Sequence, residues 1–151
     1  MTKNELAEEL RGFVSPKNIC GVWECRVSPS LVEMDGLTIH SGHLAEHLKG
    51  CRQLALMAAT LGAEADSIIR RYSVREMAKA VIADEIFSEM IEEYCRSIYP
   101  RRFSPGYGDF DIAHQKDIAI LLDCSKRIGL TVTEGYMLSP AKSVTAVAGI
   151  Y

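Results

Sequence analysis

The segment Arg101-Arg102-Phe103-Ser104-Pro105-Gly106-Tyr107-Gly108-Asp109-Phe110 holds the side chains with the clearest chemical use. Pro105-Gly106 suits a type II turn, with proline setting φ at the first central position and glycine supplying φ > 0 at the second. Gly106 and Gly108 lack a Cβ, so a ligand could approach the backbone there. Arg102 offers a planar fork that matches a carboxylate bidentately. Tyr107 adds an apolar face and a hydroxyl. A small zwitterion carrying an aromatic base would use the whole set. The same residues equally suit an exposed helix-to-helix turn with hydrated arginines, because glycine and proline are common in turns.

Other groupings are weaker. His40, His43 and His47 cluster, and His43 and His47 share a helical face at i and i+4. Leu44 stands where a zinc-protease helix needs glutamate, although Glu46 is nearby. The five cysteines (Cys20, Cys25, Cys51, Cys95, Cys124) include no Cys-x-x-Cys pair, and they read as free thiols in a reducing compartment. Cys124 falls in a helical stretch and reads as packing, not as a nucleophile. Glu89, Glu92 and Glu93 read as a solvated helix face. Thr60-Leu61-Gly62-Ala63 carries a single glycine, too few for a dinucleotide-type loop after a strand.

The elements that must position the loop follow from periodicity. Thr2–Arg11 reads as a surface helix ending near Gly12. Ile19–Val27 alternates like a strand, with Ile19, Gly21, Trp23, Cys25 and Val27 on one face. Leu37–Ile39 follows an Asp35-Gly36 turn, and His43–Leu48 reads as a short helix. Leu54–Ala59 is continuously apolar, as in a strand buried on both faces. Helices are expected over Ala63–Arg71 and from a capping box at Ser73 and Glu76. The second of these carries a stripe of Ala80, Ala83, Phe87, Met90, Ile91, Tyr94 and Ile98 and ends at Pro100. A single helix over Ile112–Ile128 should stop at Gly129, before strands over Leu130–Thr133 and Val144–Ile150. The expected architecture is α+β, one domain over residues 1–151, with helices on a mixed, mostly antiparallel sheet.

The composition is globular, with 48% hydrophobic and 25% charged residues. A net charge of -3 argues against wide, non-specific contact with nucleic acid or anionic membrane. The sequence has neither a bilayer-length apolar run nor a signal-peptide core at its start, so a cytoplasmic location is expected.

Four motifs in order resemble the activation domain of cobalamin-dependent methionine synthase. They are Arg102-Phe-Ser-Pro-Gly-Tyr107, a helix bearing Leu121-Leu122-Asp123, Ile128-Gly-Leu-Thr-Val-Thr-Glu134, and Pro140-Ala-Lys-Ser-Val144. Residues 49–62 resemble stand-alone relatives of that domain. The resemblance implies a chain that binds S-adenosylmethionine and presents its methyl group, a reactivation subunit more than an autonomous enzyme. Arg102 would hold the methionyl carboxylate, and the Ser104 backbone would contact the adenine or ribose side. Gly106 would allow that approach while Tyr107 packs on the ligand. Ala148 and Gly149 would line the site through backbone atoms, where the family usually has an aromatic pair. Glu134 would contact the ligand or support the loop from below.

The resemblance also implies what the chain does not supply. It has no Asp-x-His-x-x-Gly motif, and Asp111-Ile-Ala-His114 has the wrong spacing. The cobalamin would therefore sit on a partner, a corrinoid-binding methionine synthase or a related methyltransferase. A flavodoxin- or ferredoxin-like protein would donate the electron. Relatives carry an N-terminal extension with an acidic ligand-binding residue, and relative to them this chain is expected to be shortened. The alternatives are a degenerate member that serves only as a docking protein, or a small-molecule sensor. An open sheet edge would allow a homo-oligomer.

Overall fold

The computed structural model describes residues 2–151. Its organising element is strand β5 (Gln53–Thr60), in which every residue after Gln53 is buried. β5 lies between β1 (Lys17–Glu24) and β8 (Ser143–Ile150), and both pairings are antiparallel. Leu56 stands opposite Gly21 on one side and Val147 on the other. Because side chains alternate across a strand, β5 feeds two cores. Leu54, Leu56 and Ala58 join Val147, Leu44, Leu48 and Phe110 on one face. Met57 and Ala59 join Ala146, Phe87, Ile91 and Leu10 on the other.

The second core is covered by helices α1 (Lys3–Leu10), α3 (Ala63–Arg75) and α4 (Met77–Ile98). Thr2 caps α1, its hydroxyl accepting the Glu5 N–H at 3.1 Å. In α4 the expected stripe is inward, with Ala80, Ala83, Phe87 and Ile91 buried and Met90, Tyr94 and Ile98 partly so. The capping box at Ser73 is not formed. Ser73 lies inside α3 and its hydroxyl donates to the Ile69 carbonyl at 2.7 Å. The chain kinks at Glu76 (φ -136°) before α4 begins.

The first core is covered by a second sheet and two short helices. The strand expected over Ile19–Val27 divides at Cys25, whose N–H still bonds the Arg52 carbonyl at 2.8 Å. Beyond it β2 (Arg26–Ser28) joins β3 (Leu31–Met34) and β4 (Leu37–Ile39) in a separate antiparallel sheet. Asp35 and Gly36 both take positive φ, the geometry of a two-residue hairpin turn. Helix α2 (Gly42–His47) follows, capped by the Ser41 hydroxyl on the Leu44 N–H.

The single helix expected over Ile112–Ile128 is two, α5 (His114–Leu121) and α6 (Cys124–Ile128), divided at Asp123 with φ 52°. Ile118 and Leu122 form one buried pair, Cys124 and Ile128 another, and all four join the first core. At about 100° per residue, the six-residue offset would turn the second pair about 120° away from the first in an unbroken helix. The left-handed residue redirects α6 so that both pairs bury. Gly129 ends α6 in the left-handed conformation, as expected. The strand beyond is short: β6 (Thr131–Val132) pairs with β7 (Leu138–Ser139).

The result is a single α+β domain with every strand pairing antiparallel. If β5 is the shared wall of both cores, Leu56→Ala should destabilise the protein by about 2–5 kcal/mol, measured by urea unfolding.

Candidate functional site

The loop between α4 and α5 is attached to the central sheet by backbone bonds. The N–H of Phe103 donates to the Val147 carbonyl, and the N–H of Val147 donates to the Phe103 carbonyl, each at 2.8 Å. Phe103 therefore bridges the outer edge of β8 at Val147. Its ring stacks on Phe110 (centroids 6.0 Å apart), meets Tyr107 edge-on at 6.4 Å and lies 5.6 Å from His47. Phe110 is fully buried and ties this aromatic group to the first core.

Ser104 to Tyr107 forms the expected turn, with the Tyr107 N–H donating to the Ser104 carbonyl at 3.2 Å. Gly106 has φ 99°, which suits the second central position of a type II turn. A Cβ there would only touch Ile112, so Gly106 is needed for its conformation. Gly108 is needed for space as well: a Cβ would collide with the His43 ring.

That ring belongs to a second tether. Asp109 accepts from the Ser41 hydroxyl at 2.5 Å, the Gly42 N–H at 2.8 Å and the His43 N–H at 3.1 Å. In return, the Asp109 N–H donates to His43 Nδ1 at 3.0 Å. The Ser41 hydroxyl bond, then the His43 and Gly42 N–H bonds, hold the Asp109 carboxyl at about 2, below its ordinary 3.8. Asp109 thus joins the loop to the start of α2.

Between the loop, α4, α5 and β8 lies a cavity of about 360 Å³, lined by Glu92, Arg102, Phe103, Ser104, Tyr107, Gln115, Leu138, Ser143, Val144 and Thr145. That volume is at the small end of the range for small-molecule sites. The Arg102 side chain is only 12% exposed; its guanidinium donates to Glu92 Oε2 at 2.6 Å and to the Tyr99 carbonyl at 3.4 Å. Gln115 is held at both ends, donating to the Tyr136 carbonyl at 2.6 Å and accepting from the Thr145 hydroxyl at 3.3 Å. The cavity therefore presents one cation, one anion and fixed neutral dipoles beside aromatic surface.

Of the residues singled out in the sequence, Arg102, Ser104 and Tyr107 meet in this wall, and Gly106 shapes their turn. Glu134, Ala148 and Gly149 are not in it. Glu134 is exposed on the turn between β6 and β7. Ala148 is buried in β8 opposite Ala55, and Gly149 opposite Leu54, where a Cβ would meet Cys51 and the Tyr151 ring. They lie toward the other end of β8 from Ser143, Val144 and Thr145. Glu92 differs from the solvated-face reading, since it is the ion-pair partner of Arg102. Gln115, Ser143 and Thr145 were not singled out; a buried glutamine and alternate residues of a strand carry no local motif.

A wider cleft of about 1140 Å³ lies where the two larger sheets meet, lined by Trp23, Arg26, Glu33, Arg52 and Tyr151 among others, and it contains none of the loop residues. Burial pushes the Cys95 thiol up to about 11 despite nearby Arg102, and Cys124 to about 11 with help from Asp123, which removes both as nucleophiles at neutral pH. Among the described residues, no group of three or more His, Cys, Asp or Glu side chains is arranged to hold a metal. No described helix is long and apolar enough to cross a membrane.

No protein-family model and no curated protein matches the sequence. The fold is similar to that in the crystal structure of the MetH reactivation domain bound to AdoHcy, with a TM-score of 0.68 over 96% of this chain at 17% identity. The chain spans 62% of the length of that structure.

The Asp109 tether has a pH signature. Its carboxyl is depressed in the folded state, so its stabilisation is complete above about pH 4 and is lost as pH falls through about 2. Asp109→Asn should lower the melting temperature at pH 7. The gap from wild type should close across that acid window, as followed by circular dichroism.

Proposed function

We propose that this chain binds S-adenosylmethionine in the cavity beside Arg102 and presents its methyl group to a corrinoid-bearing methyltransferase. The observation that carries this reading is the charge layout of the cavity. A guanidinium that is nearly buried and a carboxylate only 2.6 Å from it stand in one small wall, with aromatic surface alongside. The methionyl end of the ligand is a zwitterion, so its carboxylate would take the Arg102 fork and its ammonium would take Glu92. At its methionyl end the bound ligand replaces one ion pair by two. The fold supports the same ligand class, because the MetH reactivation domain of similar fold is bound to AdoHcy.

The remaining residues act by position. Ser104 and Tyr107, held by the Pro105-Gly106 turn, would contact the nucleoside part. Gln115 and Thr145 present fixed polar atoms on the β8 side of the cavity. The sulfonium is already an activated electrophile, so no acid, base or nucleophile is required of this chain. Its contribution is to hold the S-methyl group toward the partner, which raises the effective concentration of the reacting pair. The nucleophile would be the partner's corrinoid, reduced by one electron from a flavodoxin- or ferredoxin-like donor. The methyl would pass to it, and S-adenosylhomocysteine would leave.

The rival reading, a docking module or sensor without this ligand, draws on the Arg102–Glu92 pair itself, since Arg102 is already satisfied. Calorimetric titration separates the two. Wild type should bind S-adenosylmethionine saturably, and Arg102→Ala should bind at least about tenfold more weakly, about 1.4 kcal/mol. 5′-Methylthioadenosine, which lacks the amino-acid end, should bind both proteins equally. No binding at millimolar S-adenosylmethionine would favour the docking module.

A further inference from the structure

Among the described residues, four polar side chains are buried: Ser41, Thr60, Gln115 and Thr145. Ser41 serves the Asp109 tether, and Thr60 accepts from the Ser143 hydroxyl and the Gly62 N–H at the end of the sheet. The other two, Gln115 and Thr145, meet on the wall of the cavity. Gln115 lies in the first turn of α5, three residues before the buried Ile118, so both take the inward face of the helix. Thr145 is fixed by β8, opposite Ala58 of β5.

The Gln115 amide is held in one orientation. A carbonyl only accepts, so the Tyr136 carbonyl fixes the Nε2 end at 2.6 Å. The Thr145 hydroxyl donates to the Oε1 end at 3.3 Å. Tyr136 is itself pinned: it has φ 61° in the turn between β6 and β7, which its N–H closes on the Thr133 carbonyl at 2.9 Å. A primary amide carries two N–H groups and two acceptor lone pairs. The frame uses one of each, so one N–H and one lone pair remain. Gln115 is only 8% exposed and lines the cavity. Its remaining donor and acceptor, side by side and in fixed order, are offered to whatever occupies that space.

We propose that Gln115 reads the base of the ligand and selects a 6-aminopurine over a 6-oxopurine. The inference rests on the reading of the cavity as an S-adenosylmethionine site and adds which group recognises the adenine. The free Nε2–H donates to a ring nitrogen, and Oε1 accepts from the 6-amino group, the bidentate pairing that an amide forms with adenine. In a 6-oxopurine the exocyclic group is a carbonyl, which would meet Oε1 lone pair to lone pair. An unrestrained glutamine would answer by exchanging its two ends. Here that exchange would set Oε1 against the Tyr136 carbonyl, so the frame makes an adaptable side chain selective. Gln115 is thus a specificity residue and takes no part in methyl transfer.

Calorimetric titration of the full chain with S-adenosylmethionine and with S-inosylmethionine, its 6-oxo counterpart, tests this. Wild type should bind the 6-oxo compound at least about tenfold more weakly. Gln115→Met keeps the length of the side chain, removes its polar atoms and should bind the two compounds equally. Isotope-labelled wild type gives a readout that needs no variant. One Gln115 side-chain N–H resonance should move downfield with S-adenosylmethionine and stay in place with S-inosylmethionine. Equal binding of the two compounds by wild type, with S-adenosylmethionine still dependent on Arg102, would overturn this inference and leave the proposed function standing. Discrimination retained in Gln115→Met, or an unmoved amide resonance, would overturn it too and assign the base to another group. No binding of either compound at millimolar concentration would overturn both readings.

Discussion

Strand β5 has no solvent face. Every residue beyond Gln53 is buried, Leu54, Leu56 and Ala58 in one apolar core and Met57 and Ala59 in the other, and the strand's two edges are taken by β1 and β8. The rest of the molecule is arranged around that constraint. Helices α1, α3 and α4 cover one face, the small sheet with α2, α5 and α6 covers the other, and neither cover has a substitute. Asp123 adopts a left-handed conformation because a straight helix would leave half of the α5–α6 segment unburied.

The cavity inherits its geometry from the same arrangement. β8 is fixed by β5, Phe103 is fixed by the Val147 pairing, and the turn that carries Ser104 and Tyr107 follows directly. Asp109 supplies an independent anchor at the other end of the loop. Glu92 and Arg102 approach each other because α4 runs back along the wall that the loop closes. The charged pair is thus mounted on a neutral, well-bonded frame.

Much of this frame is legible in the sequence. The unbroken apolar run of Leu54–Ala59, the 3.6-residue stripe of α4 and the Pro105-Gly106 turn each reflect a single local rule, and each is found. What escapes depends on partners distant in sequence. β3 and β7 are too short to show a period. Ser73 has the right neighbours for a cap but lies within a helix that continues two residues beyond it. Glu92 looks like any solvated glutamate until the loop returns Arg102 to it. The resemblance to a known domain points to Ala148 and Gly149, whereas the cavity meets the same strand at Ser143, Val144 and Thr145.

A crystal structure of the chain with S-adenosylhomocysteine tests the central claim most directly. The account predicts the ligand in the cavity between the loop and β8, its carboxylate on the Arg102 guanidinium, and Glu92 turned to its ammonium. A ligand lodged in the wide cleft beside Trp23, or bound with the Arg102–Glu92 pair intact, would contradict it.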